Sequence, residues 1–151
     1  MELGGNGVFY SLNYDRMLVV KEKWKVAGRA GISYFNDHIF FKETNPRNLY
    51  TFPLEVSYLR GKQNHYLELG LGITPGFESY PESSFENENK PETPFTVRIG
   101  YRYQKRQGGF FLKTGFTPFF TIYSKSERQQ HNSKGNLMPF LGLALGYTLK
   151  R

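Results

Sequence analysis

The feature that most restricts the fold of this sequence is a strict alternation of large apolar and small residues near its end. In residues 136–151, Leu141, Leu143, Leu145 and Tyr147 occupy every second position, with glycine or alanine between them. A period of two is the period of a β-strand, because successive side chains point to opposite faces. A helix would hold two glycines in its interior, each at a cost of about 0.5–1 kcal/mol. The segment is therefore predicted to be a strand with one apolar and one small face.

The same alternation returns in six earlier segments, which are separated by polar connections. The predicted strands are 8–15, 24–34, 50–58, 65–74, 95–104 and 110–122. The predicted connections are a short one at 16–23 and longer loops at 36–48, 75–94 and 124–135. Short and long connections alternate, as in an up-and-down sheet. We expect a single domain over residues 1–151 with no helix.

The small face of the predicted strands carries mid-strand glycines together with a mixed set of charges. The charged residues are Asp15, Arg29, Glu55, Glu68, Arg98, Arg102 and Lys113. Glycine weakens a strand that faces water, whereas the crowded interior of a narrow barrel requires small residues. A polar interior is typical of membrane barrels. These seven residues are therefore predicted to form a polar network in a barrel lumen, with the apolar face turned outward.

Aromatic residues on the apolar face concentrate at the strand ends next to the short turns. They are Tyr14, Trp24, Tyr58, Tyr103, Phe110 and Tyr147. Tyrosine and tryptophan are enriched at the two interfaces of a membrane. We interpret these six residues as membrane-interface aromatics that form one of two aromatic girdles.

The composition excludes several kinds of site and one class of membrane protein. The chain has no cysteine, which excludes disulfides, thiolate metal sites and thiol nucleophiles. Mean hydropathy is −0.56 and no apolar run approaches the ~20 residues of a transmembrane helix, so a helical membrane protein is excluded. The three histidines, His38, His65 and His131, lack metal-ligand spacing. We expect neither a metal nor a cofactor.

The net charge of +7 raises the question of an anionic partner. Nucleic-acid binding needs aromatic residues beside basic ones, but here the two classes mostly take opposite faces of the strands. We therefore expect no nucleic acid, and interpret the charge as a basic rim that faces anionic lipid headgroups. The predicted rim comprises Lys21, Lys23, Lys25, Arg60, Lys62, Lys105, Arg106, Lys150 and Arg151.

Two constellations are similar to catalytic sites. Glu55 and Glu68 have the composition of an acid–base pair, but ion pairing in a lumen is the simpler interpretation. His131 and Ser133 are similar to the His-x-Ser pair of outer-membrane lipid A deacylases, yet no acidic residue follows Glu127. We therefore predict no catalysis, and a lipid A-modifying enzyme is the less favoured alternative.

Taken in order, five segments resemble the small outer-membrane β-barrel proteins of Bacteroidetes-type bacteria. They are residues 4–16, 67–74, 97–103, 115–118 and 143–149. The resemblance implies eight strands, both termini in the periplasm, and insertion by the outer-membrane assembly machinery, but no common enzymatic activity. The sequence departs from the pattern because it opens without a signal peptide, ends in Lys150 and Arg151, and shows seven clear strands. We therefore expect an incomplete first strand that ends near Leu3.

Together these features predict an all-β, antiparallel up-and-down transmembrane β-barrel of about eight strands in a Gram-negative outer membrane. A barrel of this size is just wide enough for side chains to fill, so the lumen is expected to be plugged. The expected role is structural, or binding of an extracellular partner through the long loops. The other expected partners are outer-membrane lipids, lipopolysaccharide and the assembly machinery, with the chain as a monomer. The alternative is a soluble barrel that binds a small apolar ligand.

Overall fold

The computed structural model describes residues 1–7, 9–36, 48–79, 93–105, 107–120 and 137–148. Within them the chain forms strands, turns and one 3₁₀ turn at Gly5–Gly7. The strands are β1 (Glu2–Gly4), β2 (Tyr10–Val20), β3 (Trp24–Asn36), β4 (Asn48–Thr51), β5 (Leu54–Lys62), β6 (His65–Ile73), β7 (Gly76–Ser79), β8 (Phe95–Gln104), β9 (Gly109–Phe116), β10 (Phe119–Phe120), β11 (Leu137–Met138) and β12 (Leu141–Thr148). No helix in these ranges has the length and apolar character needed to cross a membrane.

Strand pairing closes the sheet into a ring. Eight strands each pair antiparallel with two neighbours, in the order β1, β2, β3, β5, β6, β8, β9, β12 and back to β1. The short strands β4, β7, β10 and β11 extend the sheet at the end of the long connections. We call this end of the ring the loop side, and the end with the short connections the turn side. The predicted all-β, antiparallel up-and-down sheet is confirmed.

Neighbouring strands of the ring are strongly staggered. One row of directly paired residues starts at Leu141, the loop-side end of β12, and reaches Val26 close to the turn-side end of β3. Its members in order are Leu141, Phe116, Ile99, Leu69, Tyr58 and Val26. A stagger of this kind accompanies the strand tilt that lets a sheet close on itself.

Four prolines lie opposite a neighbouring strand at the loop side, and we call Pro53, Pro75, Pro94 and Pro118 the proline row. Their carbonyl oxygens accept backbone hydrogen bonds at 2.8–3.3 Å from Gly31, Phe52, Thr74 and Val97, respectively. Because proline has no N–H, each opposed pair makes one hydrogen bond where two other residues would exchange two. The row marks the level at which the ring strands end or give way to the short outer strands.

Several sequence-based boundaries differ from the structure. The predicted strand 110–122 is interrupted at Thr117 and Pro118, between β9 and β10. The predicted connection at 16–23 is wrong in its first part, since β2 runs to Val20. The pairing register with β3 shifts between Met17 and Val19, and an irregularity of this type breaks the period of two. Pro53 divides the predicted strand 50–58 into β4 and β5, and β7 forms inside the predicted loop 75–94. Residues 37–47, 80–92 and 121–136 of the predicted loops lie outside the described residues.

Candidate functional site in the ring interior

The inner face of the ring is polar and the outer face is apolar. The largest side chains that are almost completely buried are Arg98, Arg102, Lys113, Leu59, Glu2 and Glu68. On the outer face, by contrast, Leu71 and Leu141 are 69% and 78% exposed. Charged side chains are almost never fully buried unless they are paired. The pairing of these interior charges is therefore the first property of the site to establish.

Seven of the eight ring strands contribute charged side chains to the interior. These residues are Glu2 on β1, Asp15 on β2, Arg29 on β3, Glu55 on β5, Glu68 on β6, Arg98 and Arg102 on β8, and Lys113 on β9. The eighth strand, β12, presents Gly142, Ala144 and Gly146. A Cβ atom on Gly142 would lie 3.1 Å from Glu2 Oε1 and 3.3 Å from Arg98 Nη1. The small residues of β12 thus leave the space that the long charged side chains fill.

On the loop side of the interior, Glu2 links two arginines. Arg98 Nη2 donates a 2.8 Å hydrogen bond to Glu2 Oε1, and Arg29 Nη2 lies 2.9 Å from Glu2 Oε2. Arg98 also donates through Nε to Glu55 Oε2 at 2.9 Å. One carboxylate therefore neutralises two guanidinium groups that come from strands on different sides of the ring.

Lys113 joins this group to a second group nearer the turn side. Its Nζ donates to Glu55 Oε1 at 3.1 Å and to Glu68 Oε1 at 2.8 Å. Arg102 binds Glu68 through two hydrogen bonds, of 3.0 Å from Nε and 2.9 Å from Nη2. Asp15 Oδ1 lies 3.6 Å from Arg102 Nη2. The lysine thus lies between two carboxylates that each have an arginine partner as well.

The eight residues form one continuous series in which positive and negative side chains alternate. We call this series the ion-pair chain: Arg29, Glu2, Arg98, Glu55, Lys113, Glu68, Arg102 and Asp15. Four cations face four carboxylates, so the formal charge of the series is zero. Both oxygens of Glu55 and of Glu68 accept hydrogen bonds. Burial of so many charges depends on this pairing of opposite charges. Arg29 Nε and Nη1 and Arg98 Nη1 are buried without a hydrogen-bond partner among the described residues.

The turn Gly5–Gly7 folds into the loop side of the interior and contacts the ion-pair chain. The Asn6 amide donates to Glu55 Oε2 and accepts a 3.3 Å hydrogen bond from Arg98. Its backbone carbonyl accepts a bond of 3.1 Å from Thr74 Oγ1. The turn therefore fills space above the ion pairs and satisfies polar groups there.

Apolar side chains fill the turn side of the interior. Ala27, Leu59 and Tyr66 are buried together, with Met17 packed against them. The Lys25 ammonium hydrogen-bonds Tyr66 Oη at 2.8 Å and lies 4.3 Å from the centre of its ring. Lys25 was assigned to the basic rim from sequence, and this was wrong because the inward face of β3 directs it to Tyr66. The ion-pair chain is thus enclosed from both ends.

The structure places all seven sequence-predicted lumen residues in the ion-pair chain. Sequence reasoning missed Glu2, whose strand is only three residues long and shows too little alternation to assign a face. A charge imbalance was the available signal, since the seven residues comprise four cations and three carboxylates. An unpaired buried charge is costly, so the interior required one more acid.

All six predicted interface aromatics lie on the outer face, and five of them lie near the turn side. The placement of Tyr14 at a strand end was wrong, because β2 continues to Val20 and Tyr14 lies in its middle. Trp24 packs on Tyr58 with ring centres 6.1 Å apart, and Phe110 meets Tyr147 edge-on at 5.4 Å. Tyr103 packs against the His65 ring, and Tyr14 projects from β2 with 69% of its surface exposed. The exposed basic residues Lys21, Lys23, Arg60, Lys62 and Lys105 lie beyond these rings at the same end. We call these five residues the basic rim.

Several sequence-predicted positions fall outside the described residues, namely His38, Arg106, His131, Ser133, Lys150 and Arg151. In the part of the chain that is described, no three His, Cys, Asp or Glu side chains are grouped in a way that would hold a metal ion. Comparison with known proteins gives no family model that matches the chain, and neither a curated protein nor a solved structure matches it.

Proposed function

We propose that this chain is an outer-membrane β-barrel protein whose ring crosses the lipid layer. The observation that carries the proposal is the reversed distribution of side chains, with paired charges inside and large aliphatic residues outside. Water-soluble proteins place their large apolar side chains in the core, and wide exposed apolar surfaces mark contacts with lipid or with other proteins. Here the exposed apolar surface extends over the ring strands, which a lipid environment would cover.

The dimensions of the ring support this proposal. The nine residues of β6 span about 27 Å along the strand at ~3.3 Å per residue. A tilt of about 40° reduces this to roughly 20 Å along the barrel axis, close to the ~25 Å apolar band of outer-membrane barrels. The aromatic pairs at the turn side lie where the band would end, and exposed Phe52 and Phe95 occupy the loop side.

The interior supports a structural role more than transport. Arg98, Arg102 and Lys113 cross the lumen and are at most 1% exposed. A conducting pore would need space that these side chains and the turn Gly5–Gly7 occupy. The proposed work of the protein is therefore structural, or it lies in the long loops, which would bind a partner outside the cell.

A soluble barrel that binds a small apolar ligand is the second candidate. It would need an apolar cavity, because such ligands are held mainly by hydrophobic and aromatic walls. The charged ion-pair chain and the exposed leucines disfavour it. The lipid A deacylase alternative rests on His131 and Ser133, for which no acidic partner follows in the sequence.

Refolding distinguishes the two candidates. The chain is unfolded in urea and diluted into buffer with or without detergent micelles, and β-structure is followed by circular dichroism and by the mobility of unboiled samples in gels. The outer-membrane proposal expects a folded, heat-modifiable band only when detergent is present. A folded monomer in plain buffer would overturn it and would favour the soluble barrel.

A further inference from the structure

A cavity lies between two neighbouring turns at the turn side of the ring, and its volume is about 600 Å³. Its walls are Gln63 and Asn64, in the turn between β5 and β6, and Lys105, Gln107 and Gly108, in the turn between β8 and β9. The two turns are adjacent because all nine residues of β6 pair with β8. Sites for small molecules commonly have volumes of about 300–1,000 Å³. We call this space the turn cavity.

Main-chain hydrogen bonds hold one wall of the turn cavity in place. The Asn64 carbonyl accepts a 2.8 Å hydrogen bond from the Gln104 N–H, which ties the first turn to β8. Tyr66 Oη donates a 2.7 Å hydrogen bond to the Gln63 carbonyl and itself accepts one of 2.8 Å from the Lys25 ammonium. The first turn is therefore fixed from the ring interior, and a ligand would meet a wall that is already ordered.

Gln63 has a backbone conformation that glutamine rarely adopts. Its φ angle is 56°, and among the described residues it is the only one besides glycine with a positive φ. Glycine or asparagine takes this conformation more easily, so a turn without a further role would favour one of them at this position. Strained backbone positions of this kind concentrate at ligand sites. The strain therefore indicates a use for the long amide side chain that Gln63 places at the cavity wall.

The lining of the turn cavity carries three amide side chains and one cation, with no apolar and no acidic side chain. An amide offers both donors and an acceptor, which match the neighbouring hydroxyl groups or the acetamido group of a sugar. Neither of the turn segments 61–64 and 105–109 contains Asp or Glu. The ion pairs among the described residues do not include Lys105. The Lys105 ammonium can therefore bind an anionic group of a ligand.

We propose that the turn cavity binds a sugar that carries a carboxylate, with its polar ring substituents on the three amide side chains and its carboxylate on Lys105. Gly108 has no side chain, so the ligand can approach the backbone of the second turn closely. The inference goes beyond the proposed function and does not depend on the medium around the ring, because the cavity is formed by the turns alone.

Two other kinds of ligand fit the turn cavity less well. An apolar ligand would need hydrophobic or aromatic walls, which the lining does not provide. The phosphate of a lipid headgroup would bind Lys105 but would leave the three amide side chains without a use. A ligand with several hydroxyl groups and one negative charge engages both parts of the lining.

Calorimetric titration of the full, folded chain with sugars tests the proposal, in detergent micelles or in plain buffer, whichever supports folding. The probe is N-acetylmuramic acid, a sugar with a carboxylate and an acetamido group. N-acetylglucosamine is the matched ligand, because it has the same ring without the carboxylate. Lys105→Gln removes the cation from the cavity. Lys21→Gln is its control, since Lys21 is an exposed lysine of the turn between β2 and β3.

The unaltered chain should bind N-acetylmuramic acid about tenfold or more tightly than N-acetylglucosamine, because only the first makes a charge-assisted hydrogen bond to the lysine. Lys105→Gln should remove this difference, whereas Lys21→Gln should keep it. Gln63→Gly should weaken binding several-fold without lowering the urea midpoint of unfolding, because glycine relieves the strain while removing the amide.

Three results would overturn the proposal. The first is no measurable binding of N-acetylmuramic acid, or equal binding of the two sugars, by the unaltered chain, a comparison that needs no variant. The second is a preference for the acid that survives in Lys105→Gln, or full binding by Gln63→Gly. The third is binding of glycerol 3-phosphate as tight as that of the sugar acid, which would assign the turn cavity to a lipid headgroup.

Discussion

Glu2 and Arg98 lie 96 positions apart in the sequence and meet at 2.8 Å in the interior of the ring. Because Glu2 also neutralises Arg29, this one carboxylate connects β1 to strands on two sides of the ring. The contact closes the ring through side chains at the place where its backbone pairing is shortest. Loss of Glu2 should therefore affect the whole sheet.

Glu2→Gln should lower the free energy of unfolding by about 3–5 kcal/mol, because it leaves the buried Arg29 without a carboxylate partner and Arg98 with Glu55 alone. Urea unfolding of the refolded chain, followed by circular dichroism, measures the change. Glu22→Gln is the matched control, since Glu22 is an exposed carboxylate in a short turn. Equal stabilities for the two variants would mean that the interior pairing of Glu2 contributes little.

Gly142→Ala should destabilise the fold by about 1–3 kcal/mol through overpacking. The added Cβ would lie 3.0 Å from Gly5 Cα as well as close to Glu2 and Arg98. Gly76→Ala is the control, because the nearest atom to its new Cβ would be at an ordinary 3.4 Å. Urea unfolding measures the stability of both variants. If Gly142→Ala is as stable as the control, the turn Gly5–Gly7 moves away from the added Cβ atom at little cost in free energy.

Leu69→Lys tests the proposed lipid-facing surface, since Leu69 is the middle residue of β6 and is 46% exposed. A lysine at the centre of a bilayer costs about 2–4 kcal/mol, and near an interface about 0–1 kcal/mol. Folding into lipid vesicles across a urea series should therefore be impaired for Leu69→Lys and nearly normal for Val20→Lys at the turn side. A Leu69→Lys chain that folds as well as the unaltered one contradicts the lipid-facing assignment.

Trp24 is the only tryptophan of the chain, so its fluorescence reports one position. If the turn-side aromatics lie at a membrane interface, refolding into vesicles should shift the emission to shorter wavelength. Lipids brominated near the headgroup should then quench it more strongly than lipids brominated at the chain ends. The reverse order of quenching would place Trp24 in the middle of the bilayer and reject the girdle.

The basic rim should favour anionic lipid. Reversing Arg60 and Lys62 together to Glu should weaken association with vesicles that contain an anionic phospholipid, at about 1 kcal/mol for each lost cation. Association with neutral vesicles provides the control and should change little, and added salt should reduce the difference between the variants. If association with anionic and with neutral vesicles falls by the same factor, the substitutions have caused a folding defect and the charge of the rim is not responsible.

Sequence alone predicted the strands and the inward set of charges because period-two alternation directly reports which face a residue takes. It failed at Met17–Val19, where the shift in register removes the alternation that a strand prediction depends on. It also failed at Glu2, where a short strand gives too few positions to assign a face. The series of alternating charges was beyond prediction, because it depends on which strands meet across the interior and on the direction in which each long side chain turns. The face that a residue takes can be read from its neighbours in the sequence, whereas pairing across the ring joins residues that are far apart in it.

The proline row has a consequence for how this protein can vary. A ladder of hydrogen bonds normally lets a change in one loop propagate as a shift of register into the strands below it. At Pro53, Pro75 and Pro118 the ladder loses a donor at the level where the ring strands end, so propagation stops there. Segments beyond the row are therefore expected to tolerate exchange, insertion or grafting while the ion pairs beneath keep their partners. We therefore expect the sequence beyond the proline row to be replaceable without altering the strand register of the ring.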